Sequence, residues 1–510
     1  MKKTIIHILT AVLTLSSCAS KLDIPQHGVL SRDSYYQTDE EVEGGLTALY
    51  VALSGREVGF KLVLNLLSDD EWAGAVDVNE FHFLNDYTFD AEHPFIESFF
   101  TDFYNTIGRC NVLIDNVNPD TPFKKQAVAE AKVARAWLYF YLTALWGTPP
   151  LVDHCLSADE TNVPNASREK LWEFIEKDLS DAISSEALTS KKSLDDRDNY
   201  RITREFAYAI LGKVLLWEKK YEESALAFDK VIGSGLYKLF DGNYGDMVLG
   251  VNDNNCESLF ESNFVVDEAV SGAAGRLYPM VVSIGIATRP DVGSNVFGLN
   301  PAGWGMCVPT KSLYDAFVAE EGTDGYRLNQ SIKTYAFMKE NGYGITPGAI
   351  EIGEGFFMWK DRYVMADAGP GYPMDWGGNV RWMRYAEVLL LAAEANLEAG
   401  HQDKADAYLK EVRDRAGLPV KAATLEAIKL EKRLELCGEG CRYMDLVRWG
   451  DAAAVLGNQG ATFPYLSSDG SVDYRPRSST YGFKAGKHEL LPFPASEKRI
   501  NNQLKQNNNW

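Results

Sequence analysis

The chain has 510 residues, of which 45% are hydrophobic, 12% aromatic and 24% charged, a balance that excludes a disordered or collagen-like polymer and supplies a large core. Asp plus Glu number 72 against 51 Lys plus Arg, and the resulting net charge of −21 repels a phosphate backbone, so nucleic-acid binding is disfavoured. Beyond the first residues no stretch approaches the ~20 apolar residues that a membrane span needs.

Lys2 and Lys3 open the chain, and a mostly apolar run follows from Ile5 to Leu15. That run is too short to span a bilayer but suits the hydrophobic region of a secretory signal. It ends in Leu15-Ser16-Ser17-Cys18, which resembles the bacterial lipobox: an aliphatic residue, two small residues and a Cys that receives diacylglycerol before cleavage. Residues 1–17 are therefore read as a lipoprotein signal peptide, Cys18 as the lipidation site and residues 18–510 as one domain. Acyl chains on Cys18, at ~0.8 kcal/mol per buried methylene, suffice for stable anchoring. The remaining cysteines, Cys110, Cys155, Cys256, Cys307, Cys437 and Cys441, show no metal-ligand spacing. Cys437 and Cys441, separated by Gly438, Glu439 and Gly440, are close enough in sequence for a disulfide if the glycines bend the chain; free thiols are the default for the others.

Helical periodicity then dominates. Lys125–Trp146 repeats apolar residues at Val133, Trp137, Phe140 and Ala144 and breaks at Gly147 and Pro149-Pro150. Leu171–Ile183 follows Ser167, a fitting N-cap, with Glu169 in the first turn. Thr203–Glu218 and Tyr221–Ile232 read as a helix pair with almost no loop. Val380–Ala399 carries Met383, Ala386, Leu390, Ala393 and Leu397 on one face, and Asp403–Arg415, Leu425–Leu436 and Tyr443–Trp449 follow.

Two of these pairs share an internal spacing. Gly212, Tyr221, Ser224, Phe228 and Val231 match Ala393, Gln402, Ala405, Leu409 and Val412 in offset. Small residues on facing helices followed by an apolar residue four later form a tetratricopeptide-like pattern, which lets antiparallel helices approach closely. The copies lie 181 residues apart (Ser224 to Ala405), so separate hairpins in one domain are expected instead of a continuous superhelix. The fold is thus read as mainly α: helical hairpins at about 125–235 and 380–450 as a scaffold. Between them, at about 240–379, Gly, Asn, Pro and aromatic residues replace the helical period. A structureless loop of that length is improbable, so the segment is expected to be an insertion with short strands and turns that carries the binding surface.

The residues at this point resemble the SusD/RagB family of outer-membrane nutrient-binding lipoproteins. Five segments in order carry the resemblance: Cys18 with Leu22-Asp23-Ile24-Pro25; Ala129-Glu130-Ala131 with Arg135–Phe140 and the exit Trp146–Val152; Arg384–Leu390 with Ala393-Glu394-Ala395; Glu431–Leu436 leading to Glu439–Gly450; and the tail Leu490–Pro494 with Glu497, Asn501-Asn502 and Gln506-Asn507. Cys441 departs from the His that the family often has. The resemblance implies a non-enzymatic, cofactor-free surface protein that binds a glycan or other nutrient and passes it to a partner TonB-dependent transporter of the SusC type. It also implies location at the outer membrane on a lipid anchor. A non-glycan nutrient such as a peptide is the alternative cargo.

The residues themselves agree with binding over catalysis. Arg442, Asp445 and Arg448, interleaved with Leu and Trp, read as ion pairs that lock hairpins together. Asp69-Asp70-Glu71 reads as a turn or solvated face, and nucleophile-elbow, HExxH, P-loop and dinucleotide patterns are absent from the sequence. The Asp241–Asp246 loop lacks EF-hand spacing, so no metal is expected. A pyranose offers an apolar face and a rim of hydroxyls, which aromatic rings and Asn, Asp or Arg side chains can grip. Candidate glycan-binding residues are Trp72 and Asn79, in an exposed-looking N-terminal segment, and Phe297, Trp304, Tyr372 and Trp376 among the glycines of the insertion. Two or three stacks at ~1–2 kcal/mol each predict millimolar to micromolar affinity.

Overall fold

The structure, a computed structural model, describes residues 35–264 and 297–510 apart from 55–56, 75, 77, 300–304, 345–349, 363 and 368–377. The expected signal peptide and Cys18, and the candidates Trp304, Tyr372 and Trp376, lie outside the described residues.

The N-terminal half is built of helices whose starts are written locally. Helix α1 (Asp39–Leu53) opens on a capping box in which the Thr38 side chain accepts from the Glu41 N–H and Glu41 reaches back. Then come α2 (Glu57–Leu66), the short strand β1 (Glu71–Trp72) and α3 (Asn79–Asn85). Helices α4 (Pro94–Asn116) and α5 (Pro122–Trp146) carry Pro in the first turn, where its missing N–H costs nothing. Ser167 caps α6 (Arg168–Ser184), Thr203 caps α7 (Arg204–Trp217), and α8 (Tyr221–Ile232) follows. Helix α5 is central: it packs on α1, α4, α6 and α7, and every residue from Val133 to Trp146 is buried. Its Arg135 is neutralised by a bidentate pair with Asp178 on α6 (2.7 and 2.9 Å).

The central stretch comprises β2 (Ser258–Ser262), β3 (Val308–Pro309), α9 (Lys311–Glu321), α10 (Tyr326–Ser331), β4 (Ile332–Thr334), α11 (Tyr335–Glu340), β5 (Ile350–Ile352) and β6 (Phe356–Met358). The return to the scaffold is β7 (Val380–Arg384), followed by α12 (Tyr385–Glu398), α13 (Gln402–Arg415), α14 (Leu425–Glu435), α15 (Arg442–Trp449) and α16 (Ala452–Leu456). A hairpin, β8 (Phe463–Ser467) and β9 (Val472–Arg475), precedes the short α17 (Ala495–Ile500).

Three expectations are corrected. Val380–Arg384 is a strand, not the first turn of a helix: it pairs antiparallel with β2 and so ties together the two ends of the insertion. The insertion also contains helices α9 to α11 beside its strands; the helix start at Lys311 is marked by the Thr310 cap, whose side chain accepts from the Leu313 N–H. Finally, the two hairpins are neighbours in space, because α8 packs against α12 and the 181-residue separation is looped out. Cys437 and Cys441 are free thiols, the first buried and the second half-buried.

Buried charge clamps the insertion to the scaffold. Arg384 pairs with Glu257 (2.6 Å), Glu435 (2.6 Å) and Glu439 (2.7 Å), and Arg327 from α10 pairs with Glu431 (2.6 Å) and Glu435 (3.1 Å). Burial opposes ionisation of Glu439, but Arg384 and Lys360 overcome it and hold the carboxyl down to about 2. The charged signature on α15 plays the same locking role: Arg442 pairs with Asp69, Asp445 with Lys432 and Arg448 with Glu394. At the C-terminus the Trp146 indole donates to the Pro492 carbonyl (2.9 Å), and Asn507 donates to the carbonyls of Trp146 and Leu491. The tail is thereby fastened to the end of α5.

Candidate functional site

The C-terminal hairpin adds to the insertion: β8 pairs with β5 on one side and β9 on the other. Side chains of a strand alternate between faces, so β8 separates two aromatic clusters. Phe463 and Tyr465 pack with Trp72, Val308 and Ile352. Leu466 points the other way and packs with Tyr343, Phe357, Trp359 and the half-buried Phe297.

On the first face Trp72 is only 9% exposed, with its ring centroid 5.4 Å from that of Phe463. Its indole donates to Glu354 (3.1 Å), and the same carboxylate accepts from the Tyr474 hydroxyl (2.5 Å) and the Lys311 N–H (2.5 Å). The segment that looked exposed is therefore largely interior. Gly74 explains why: a Cβ there would stand 1.9 Å from the Gly305 carbonyl oxygen, so only glycine lets the N-terminal segment touch the insertion. Asn79, by contrast, is exposed; it accepts a hydrogen bond from Arg477, whose guanidinium lies 5.8 Å from the Phe463 centroid. Tyr474 is 49% exposed, held at its hydroxyl end by Glu354.

The acidic triplet beneath this face is not a solvated turn. Asp69 pairs with Arg442 (2.8 Å) and Arg433 (3.0 Å), and Asp70 with Arg433 (2.7 Å). Burial alone would raise Asp69, but the two arginines outweigh it and hold the carboxyl low. Glu71 has no such partner: burial pushes its carboxyl up to about 8, with the Cys307 thiol as a compensating hydrogen-bond neighbour.

On the second face Phe297 lies nearly parallel to Phe337 (14°, centroids 5.6 Å apart) and to Tyr343 (9°, 5.8 Å), with Trp359 edge-on at 5.0 Å. Phe337 and Phe297 are half-buried, so the tier of rings is partly open to solvent. This cluster can offer a flat apolar surface; the first face offers Asn79, Arg477 and Tyr474 as hydrogen-bonding groups.

Of the six sequence candidates, Trp72, Asn79 and Phe297 fall on described residues, and β8 stands between the cluster of Trp72 and that of Phe297. Sequence reasoning passed over Phe337, Trp359 and Tyr474. The aromatic density of Tyr335, Phe337, Tyr343, Phe356, Phe357 and Trp359 was the available signal for the first two; nothing local distinguishes Tyr474. A separate, partly open cavity of about 50 Å³ lies among Lys61, Lys360, Asp361, Arg381, Arg384 and Glu439, large enough for water. Among the described residues no group of three His, Cys, Asp or Glu side chains could hold a metal ion, and Asp246 of the acidic loop is engaged by Arg362.

Comparison with known proteins gives this arrangement a family. Residues 353–510 match the family model described as the SusD family, and residues 54–216 match a model described as starch-binding and associating with the outer membrane. A laminarin-binding SusD-like protein of known structure superposes with a TM-score of 0.79 at 29% identity, covering 93% of this chain and 100% of that one. Surface glycan-binding protein A from Bacteroides fluxus superposes with a TM-score of 0.76 at 26% identity, covering 93% of this chain and 100% of its own. SusD-like protein P2 of Formosa agariphila is 26% identical over 547 aligned positions, spanning 100% of this chain and 99% of the relative. The chain belongs to the SusD/RagB family. No helix among the described residues is long and apolar enough to cross a membrane.

Proposed function

We propose that the protein is a glycan-binding lipoprotein of the outer membrane that captures an oligosaccharide at the cell surface and delivers it, unaltered, to a SusC-like TonB-dependent transporter. The observation that carries this reading is the likeness along nearly the whole chain to a laminarin-binding relative, at 29% identity and a TM-score of 0.79. The lipobox at Cys18 supports the anchor, and the commitment of Asp69 and Asp70 to arginine pairs supports binding without turnover. Phe297 supplies a stacking ring and Asn79 a polar contact, with Trp304, Tyr372 and Trp376 as further ring contacts; Trp72 serves chiefly as the packed floor of this region. Calorimetry of the full chain against β-glucan, starch-derived and host oligosaccharides tests the reading. Binding in the millimolar to micromolar range without change in the sugar is expected. Failure of every glycan, with a peptide bound instead, would replace it by the alternative cargo. Cys18→Ser is expected to release the protein from the membrane fraction.

A further inference from the structure

Cations crowd the rings of the second aromatic cluster. The Lys333 ammonium lies 4.4 Å from the Phe337 centroid and 5.5 Å from that of Trp359. The Arg362 guanidinium lies 5.3 Å from Trp359, and the Lys339 ammonium 5.8 Å from Tyr335. Arg362 is fully engaged: it pairs with Asp246 (2.5 Å) and donates to the carbonyls of Gly245 (2.5 Å) and Trp359 (3.3 Å). Lys333 differs. It is half-buried, yet among the described residues its ammonium has no hydrogen-bond acceptor and no carboxylate within 4 Å.

Ring faces attract a cation but fill none of its three donor positions, so the ammonium keeps its hydrogen-bonding capacity intact. Burial and the nearby Arg362 charge both disfavour the protonated lysine, and an anion placed against it would relieve both. The lysine also stands over Phe337, the ring that lies nearly parallel to Phe297. A sugar resting on these rings would bring a ring substituent within reach of the ammonium. The acid surplus of the whole chain does not oppose this: beyond a Debye length of ~8 Å exposed charges are largely screened, and the local cation decides.

Taking the oligosaccharide-binding reading as given, we infer that Lys333 forms an anion subsite, selecting acidic oligosaccharides whose uronate carboxylate or sulfate ester meets the ammonium while the sugar lies on Phe297 and Phe337. Lys339 sits at the rim, and Arg362, paired with Asp246, holds Trp359 in place.

The test compares three probes of equal length by calorimetry with the full chain: a neutral β-glucan oligosaccharide, a uronate-containing one and a sulfated one. At least one acidic probe is expected to bind ~10-fold more tightly than the neutral one at low salt, with the advantage shrinking at high salt. Lys333→Met is expected to bring that ratio close to one, and Lys333→Arg to keep it, each variant being checked by thermal unfolding. Preference for uronate over sulfate, or the reverse, identifies the acidic group. Equal binding of neutral and acidic probes, or a preference that survives Lys333→Met, overturns the anion subsite while leaving glycan binding in place. Absence of binding by any of the three, together with the wider panel, overturns both.

Discussion

Phe228 lies so close to Gly212 that a Cβ on the glycine would stand 2.8 Å from the ring, while Ser224, one turn before Phe228, donates its hydroxyl to the Gly212 carbonyl (2.7 Å). The α7–α8 hairpin closes on this contact, and α8 in turn presents its other side to α12. Because Phe228 is fully buried, its ring can yield only by shifting against the neighbours packed around it. Gly212→Ala is expected to lower stability by about 1–3 kcal/mol, despite the better helix propensity of alanine. Chemical denaturation monitored by circular dichroism measures it; an unchanged midpoint would show that the hairpin adapts.

Arg384 is the hub of the buried charge network, facing Glu257, Glu435 and Glu439 at once. Arg384→Met leaves Glu439 without its main counter-charge and strips one partner each from Glu257 and Glu435, and a loss of about 3–5 kcal/mol is expected. Since this arginine sits at the end of β7, where the insertion rejoins the scaffold, limited proteolysis is expected to cut the variant within the insertion before the helices. Simultaneous cleavage throughout would contradict the clamp.

Stability should peak near neutral or mildly acidic pH, for two opposed reasons. Glu439, held at about 2 in the fold against 4.5 when free, contributes stability that is present above 4.5 and lost as pH falls toward 2. His488 acts in the same direction. Burial among Tyr87, Phe89 and Trp510 pushes its imidazole down to about 3 from 6.5, so its contribution is lost as pH falls below 6.5. Glu71 works the other way: raised from 4.5 to about 8, it keeps its proton in the fold, and stability falls as pH rises from 4.5 through 8. Glu71→Gln is expected to raise the unfolding temperature at pH 8 and to flatten the alkaline side, with a gain of up to ~3 kcal/mol. A parallel curve for the variant would remove Glu71 as the cause.

Trp72 and Phe297 should separate packing from binding. Trp72→Ala removes a buried indole and its hydrogen bond to Glu354, and a stability loss of about 3–5 kcal/mol is expected. Phe297→Ala, at a half-buried ring, is expected to cost ~5- to 30-fold in glycan affinity with a much smaller effect on unfolding. Calorimetry and thermal unfolding on both variants read this out. The reverse pattern would place the ligand on the Trp72 face.

Several helix boundaries were legible from local signals, although α5 and α6 begin at Pro122 and Arg168, ahead of their expected starts at Lys125 and Leu171. The Ser167 and Thr203 caps, the close α7–α8 turn and the break at Gly147 are local signals, and the observed α8 matches its expected span residue for residue. Helices α1 and α4 went unrecognised although Thr38 with Glu41, and Pro94, mark their starts just as plainly. Val380–Arg384 misled because one apolar face serves a helix and a strand equally well over five residues; pairing with β2 decided it.

Periodicity, caps and the charged segments were enough to establish a mainly helical scaffold, its interrupted hairpins and a separate aromatic insertion, because each is encoded within a few neighbouring positions. Contacts between distant segments settled the rest. Gly74 against Gly305 turned Trp72 inward, β8 divided the aromatic residues into two clusters, and two arginines, Arg433 and Arg442, drew the 69–70 acids out of solvent. Exposure and partnership depend on what packs across hundreds of residues, and no local spacing records that.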